Sequence, residues 1–175
     1  MNRNFKLLLG FVATAVVAHV AAVYATPHFL MNVAMKRLGG DDGAVNRFAF
    51  GDRTTQNSRR VVRPSPDLAY SSCVYDLSNG PIEVSAASSP NAGYLSISVF
   101  AANTDNIGVY DSLRSPQGIR FVLALDGQAV PDGVPMLRSP STRGIILDRR
   151  LAPNAALFAE VDQARRADRC APIKG

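Results

Sequence analysis

Hydrophobic and polar positions divide this chain into two textures. From Leu7 to Ala25 it reads LLLGFVATAVVAHVAAVYA, with no acidic or basic side chain apart from His19. That many helical residues, at about 1.5 Å each, cover roughly the 30 Å of a hydrocarbon core. TPHFLMNVAMKRLGG comes next, with Phe29, Leu30, Val33 and Leu38 expected on one side at helical spacing. Lys36 and Arg37 can reach headgroups, and Gly39-Gly40 is a helix stop. Pro27 is expected to kink one continuous helix or to start a second one on the membrane surface. Residues 1–39 therefore read as a transmembrane anchor with a juxtamembrane helix.

Residues 40–175 read as a separate β-rich domain. Short apolar or alternating runs recur at Asn46–Phe50, Ser71–Leu77, Ile82–Ala86, Tyr94–Ala102, Ile107–Tyr110, Gly118–Leu125 and Gly144–Leu147. Turn formers separate them, among them Ser78-Asn79-Gly80-Pro81, Ser115-Pro116 and Pro131-Asp132-Gly133. In YLSISVFA, Leu95, Ile97 and Val99 alternate with Ser96 and Ser98, as in a strand with one buried face. Asn154 is placed to cap a last helix whose Leu157, Phe158 and Val161 face inward. The fold class is mainly β: an apolar N-terminal helix, then a small antiparallel sandwich or partial barrel with a C-terminal helix. Locally, Ser71–Leu77 and Ile82–Ala86 read as a hairpin closed by Asn79-Gly80, with Pro64 and Pro66 stiffening the approach.

Charge places the chain. Of nineteen lysines and arginines, Arg3, Lys6, Lys36 and Arg37 precede residue 40, where there is no acid. The remaining fifteen nearly balance all fourteen acids, so the pI of 9.6 belongs mainly to the anchor and its flanks. A nucleic-acid partner, which needs a basic domain surface, is not expected. Arg3 and Lys6 put the N-terminus in the cytoplasm by the positive-inside rule, with residues 7–25 in the lipid bilayer. The domain then faces the periplasm across a bacterial inner membrane in a single pass. The rival is a cleaved signal peptide ending at Val23-Tyr24-Ala25. The apolar run exceeds the usual signal length and its pattern continues past that point, which favours a retained anchor.

The residues after the anchor limit the chemistry. Both histidines, His19 and His28, lie in or beside the anchor, so Ser-His, Cys-His and histidine-based metal sites are not expected in the domain. No cofactor motif and no metal set is present. Asp67, Asp76, Glu83, Asp111 and Asp126 could converge as paired carboxylates, although each also reads as a turn former or strand-end residue. Tyr70 and Tyr75 could line a pocket or pack in the core. Arg63, Asp67 and Tyr70 are the ligand-binding candidates. Cys73 and Cys170, the only cysteines, are candidates for a disulfide tying the C-terminal tail to the sheet. The alternative is one buried and one exposed thiol.

Arg63-Pro64-x-Pro66-Asp67-Leu68-x-Tyr70-Ser71-Ser72, Asp76-Leu77-Ser78 and Gly80-Pro81 resemble a signature of a bacterial family. Ser139-Pro140-Ser141 and Arg143-Gly144-Ile145-Ile146-Leu147-x-Arg149 extend the likeness, as does the anchor followed by Pro27. The family is the domain-of-unknown-function family 1254, in its short membrane-anchored form. The resemblance implies an exported β-rich domain often associated with a companion of family 1214, which another chain would have to supply. The expected function is a non-catalytic binding or assembly module working beside that companion membrane protein. The alternative is a carboxylate-based enzyme, or half of one, completed by the partner.

Overall fold

The computed structural model describes residues 2–39, 44–59, 61, 63–89, 91 and 93–173. Helix α1 (Arg3–Leu38) opens at Asn2, whose side chain accepts from the Asn4 N–H, and closes at Gly39. It spans 36 residues, about 54 Å, and is long and apolar enough to cross a membrane. Pro27 lies inside it, and no separate juxtamembrane helix forms. Around the missing proline N–H, Thr26 Oγ1 donates to Ala22 O and His28 Nδ1 to Tyr24 O. Side chains thus serve carbonyls beside the break, one of the ways a helix continues through proline.

Among the described residues nine strands come after it: β1 (Phe48–Phe50), β2 (Leu68–Asp76), β3 (Ile82–Ala87), β4 (Leu95–Ala101), β5 (Asn106–Asp111), β6 (Gly118–Leu125), β7 (Met136–Ser139), β8 (Arg143–Leu151) and β9 (Arg169–Pro172). Helix α2 (Ala155–Arg165) lies between the last two, and Asn154 caps it by accepting from the Leu157 N–H at 2.9 Å. The first sheet has the order β1-β2-β8-β4-β5 and the second β7-β6-β3-β9. All pairings are antiparallel except β6 with β7.

Leu95, Ile97, Val99, Cys73 and Ile146 of the first sheet meet Ile82, Val84, Phe121 and Leu123 of the second to form the core. Tyr110 and Phe121 stack across it with ring centroids 4.4 Å apart. Gly144, paired with Tyr75, must be glycine, because a Cβ there would collide with the Tyr75 hydroxyl and the Phe100 carbonyl. The Tyr75 hydroxyl, 3.2 Å from Phe100 O and 3.0 Å from Ser139 Oγ, fills that space.

The Ser71–Leu77 and Ile82–Ala86 runs do not form the hairpin expected from local pattern. β2 pairs with β1 and β8, whereas β3 pairs with β6 and β9 in the other sheet. Leu77 and Ile82 are both fully buried between the sheets, so the intervening turn carries the chain across the sandwich. The Gly80 N–H donates to Leu77 O, and Gly80 alone in the turn has a positive φ, +123°.

The expected helix face also changes. Phe29 and Leu30 stay exposed, while Met31 and Met35 are buried against Val74, Ile145 and Phe100, with Ala34 and Leu38 beside them. Two methionines one turn apart offer a flexible apolar ridge that fits the flat row of the sheet. Only Leu38 of the predicted face shares in this packing.

Cys73 and Cys170 are bonded, with Cα atoms 6.6 Å apart, which links β2 of one sheet to β9 of the other. The bridge spans a sequence separation of 97 residues. Closing a loop of that size contributes up to about 4–5 kcal/mol in the chain-entropy account.

Gly80→Val is expected to cost about 1 kcal/mol or more, because a β-branched residue is forced to a positive φ. No atom lies within 4 Å of an added Cβ, so the cost is in the backbone alone. Urea melts of the two proteins test this, and an unchanged midpoint would mean the turn relaxes freely.

Candidate functional site

The three sequence-predicted binding residues are not assembled with one another. Arg63 and Asp67 are exposed and make no ion pair among the described residues. The backbone of Asp67 shapes the approach to β2: its N–H donates to Ser65 Oγ and its carbonyl accepts from Ala152 N–H. The Tyr70 hydroxyl accepts from Ser65 N–H at 2.9 Å, and Tyr70 pairs in register with Arg149. The carboxylates weighed as catalytic pairs are dispersed. Asp76 serves Ser78 and Arg143, Glu83 pairs with Arg120, and Asp111 accepts from the N–H groups of Leu113 and Arg114. Among the described residues no group of three His, Cys, Asp or Glu side chains is placed to hold a metal ion.

A charged constellation instead develops along β8, in Asp148-Arg149-Arg150. Alternation sends Asp148 and Arg150 inward with Ile146, and Arg149 to the opposite face. Inside, Arg150 Nη2 lies 2.9 and 2.8 Å from the two Asp168 oxygens, while Nε lies 3.2 Å from Asp148 Oδ2. Ser71 Oγ donates to the same Asp148 oxygen and Arg150 Nη1 reaches Ser89. Asp168 also accepts from the Ala87 N–H. Arg165, at the end of α2, joins this end of the sandwich by donating to the carbonyls of Tyr70 and Gly51 at 2.6 Å each. Its guanidinium also lies over the rings of Phe50 and Phe158.

Two carboxylates thus share the Arg150 guanidinium in a region closed to water. Burial pushes Asp168 up to about 7, against the attraction of Arg150 and helped by the negative charge of Asp148. Burial raises Asp148 as well. The pair holds a proton far more tightly than free carboxylates do. Its side chains are fully buried, so its chemistry is internal.

The outer face of the first sheet is different. Its row Val74–Ile145–Phe100 is covered by Met31 and Met35. Arg149 stands four residues further along β8, about 13 Å away. Its neighbours in register are Tyr70 on β2 and Ser96 on β4. Arg149 Nη2 donates to Ser98 Oγ at 2.9 Å, whereas its Nε, closed off from solvent, has no acceptor. No carboxylate pairs with this guanidinium among the described residues. Leu151 and Tyr94, joined by a backbone hydrogen bond at the next row, remain 41% and 42% exposed. This face is where a charged side chain, hydroxyls and exposed apolar groups converge. No local signal locates Arg149 in the sequence, because the apolar run Gly144–Leu147 stops before Asp148-Arg149-Arg150.

Residues 45–172 match the family described as "Protein of unknown function (DUF1254)". No curated protein matches. A solved structure of the VPA0106 protein from Vibrio parahaemolyticus is similar over 85% of this chain, with a TM-score of 0.64 and 16% identity. That likeness is one of fold, and this chain spans only 36% of the Vibrio protein. An uncharacterised protein from Burkholderia cenocepacia matches over 89% of this chain and 40% of its own, with 18% identity and a TM-score of 0.44.

The buried pair makes stability depend on pH. A carboxylate raised in the folded state contributes fully below its unfolded value near 4, and the contribution is lost as pH rises through about 7. Asp76 is lowered chiefly by hydrogen bonds from Ser78. At Asp162, the upward pull of burial is outweighed by Arg165 and Arg166, leaving it lowered too. Both stay ionised across that window. The unfolding midpoint is therefore expected to fall between pH 5 and pH 8, by on the order of 1 kcal/mol or more. Asp168→Asn should flatten the profile. Denaturant titrations across this range test it, and an equal slope in the variant would place the proton elsewhere.

Proposed function

The chain belongs to the DUF1254 family of proteins of unknown function, and from that premise we propose that it is a membrane-anchored binding and assembly module. Residues 7–25 of α1 lie in the bilayer, Arg3 and Lys6 face the cytoplasm, and the β domain faces the periplasm. Met31, where the helix docks on the sheet, lies only about 9 Å along the helix past Ala25. The domain is therefore held close to the membrane surface. A companion membrane protein, of the family 1214 type, binds the part of the outer sheet face that α1 leaves uncovered.

The observation that carries this reading is the part of the outer face beyond α1, where Arg149 and Tyr70 are half-buried and Tyr94 and Leu151 are exposed. Its centre is an arginine with no carboxylate partner among the described residues, and Tyr94 and Leu151 are exposed beside it. Aromatic residues and arginine are enriched at protein-binding surfaces, and an exposed tyrosine and leucine beside Arg149 give this face that character. The β domain of the Vibrio structure forms a minor part of a longer chain. This supports a domain that works against further polypeptide.

Two experiments test the reading. N-terminal sequencing of the chain purified from membranes is expected to start before Leu7, and a mature start at Thr26 would remove the anchor. A photo-crosslinking residue at position 94, in cells producing the full chain, should join it to one other membrane protein. The same residue at Arg120, on the second sheet, should not. Equal adducts from both positions, or none from position 94, would overturn the docking assignment.

A further inference from the structure

We infer that Arg149, with Ser98 and Tyr70, forms a binding site for an oxyanion, a carboxylate or a phosphate. The inference deepens the docking reading above by naming the chemistry that the face accepts. Most other arginines of the strands and of the end of α2 are already committed. Arg120, Arg143, Arg150, Arg165 and Arg166 pair with carboxylates, and Arg138 donates to the carbonyls of Leu125 and Gln128. Arg149 keeps its full charge on the sheet face.

Its buried Nε–H has no acceptor among the described residues, and an anion oxygen bonded there would satisfy a donor that is costly to leave unpaired. The bond to Ser98, which is itself 1% exposed, holds the guanidinium by one nitrogen. A fork held in one plane matches the paired oxygens of a carboxylate or phosphate. Tyr70 accepts from Ser65 N–H, which leaves its own hydroxyl proton as a second donor beside Arg149. Along this row the nearest acid in register is Asp111, beyond Ser96 and about 10 Å from β8. Its Oδ1 is occupied by the N–H groups of Leu113 and Arg114. Among the described residues Asp111 makes no ion pair with Arg149. β8 is paired on both sides, so the site sits on a rigid strand.

The test titrates acetate and, separately, inorganic phosphate against chloride at constant ionic strength into the full chain in detergent. The Arg Nε–Hε resonances are followed by NMR. A saturable shift of the Arg149 resonance is expected, and the anion that saturates it at lower concentration identifies the source chemistry. Arg149→Gln should weaken binding, read as stabilisation of the melting midpoint, about ten-fold or more. Arg120→Gln should leave binding unchanged. Should Arg149→Gln not fold, Ser98→Ala keeps the charge but frees the guanidinium and is expected to weaken binding several-fold. No saturable shift with either anion, or wild-type binding in the Arg149 and Ser98 variants, overturns the site. A crosslink from position 94 without anion binding would sink this inference and spare the docking reading; anion binding without a crosslink would do the reverse.

Discussion

Arg150 has no contact with solvent, yet it touches the two parts of the domain that have least reason to stay together. Through Asp148 it belongs to the central strand of the first sheet, and through Asp168 to the turn that leads from α2 into β9 of the second. A buried cation is tolerable only when fully partnered, so the placement of Ser71, Ser89 and the Ala87 N–H follows from its presence. Removing any one member strands a charge in an apolar interior. Other packings of the two sheets are disfavoured for the same reason: apolar surfaces slide past one another at small cost, but a forked guanidinium accepts few partners. The disulfide restrains the same pair of sheets from β2 to β9. Together they hold the first and second sheets at separate places, one by charge and one by covalency.

Much of the fold is legible in the sequence because it rests on local periodicity. Leu95, Ile97 and Val99 declare β4, the run Gly118–Leu125 matches β6 to the residue, and Asn154 announces α2 through its capping side chain. The elements that escape a sequence reading depend on partners distant along the chain. Local pattern ends β8 at Leu147, since Asp-Arg-Arg is not a central-strand pattern. The strand continues to Leu151 because Asp168, twenty residues beyond Asp148, neutralises Arg150. β9, only four residues long, exists as a strand through β3 beside it and has no pattern of its own. Asn79-Gly80 suggests a hairpin because a turn signature does not say which sheet each flanking strand will join.

The candidate site is only half visible in the sequence. Tyr70 stands out there, and the structure places it beside Arg149 rather than between Arg63 and Asp67. Nearness in sequence suggests the first grouping, whereas antiparallel register produces the second. Pairing β2 with β8 brings together residues 79 positions apart, and one sequence contains no direct trace of that pairing. The docking of α1 shows the same limit. Phe29 and Leu30 are the more hydrophobic choice, but the sheet row receives the methionines.

The Cys73–Cys170 bond also turns the stretch from β3 to α2 into a closed ring of polypeptide. A protease that nicks any loop within the ring, such as 126–135 or 112–117, releases no fragment; the cut ends remain parts of one molecule. The segment between α1 and β2 lies outside the ring and has no such protection. A single cut there separates the ring from the helix in covalent terms, leaving the packing of Met31 and Met35, and the β1–β2 pairing where the cut falls after β1, to hold the helix to the sheet. Under non-reducing conditions, the size of a proteolysed sample would therefore report where along the chain it was cut, and whether the domain was still joined to its N-terminal helix.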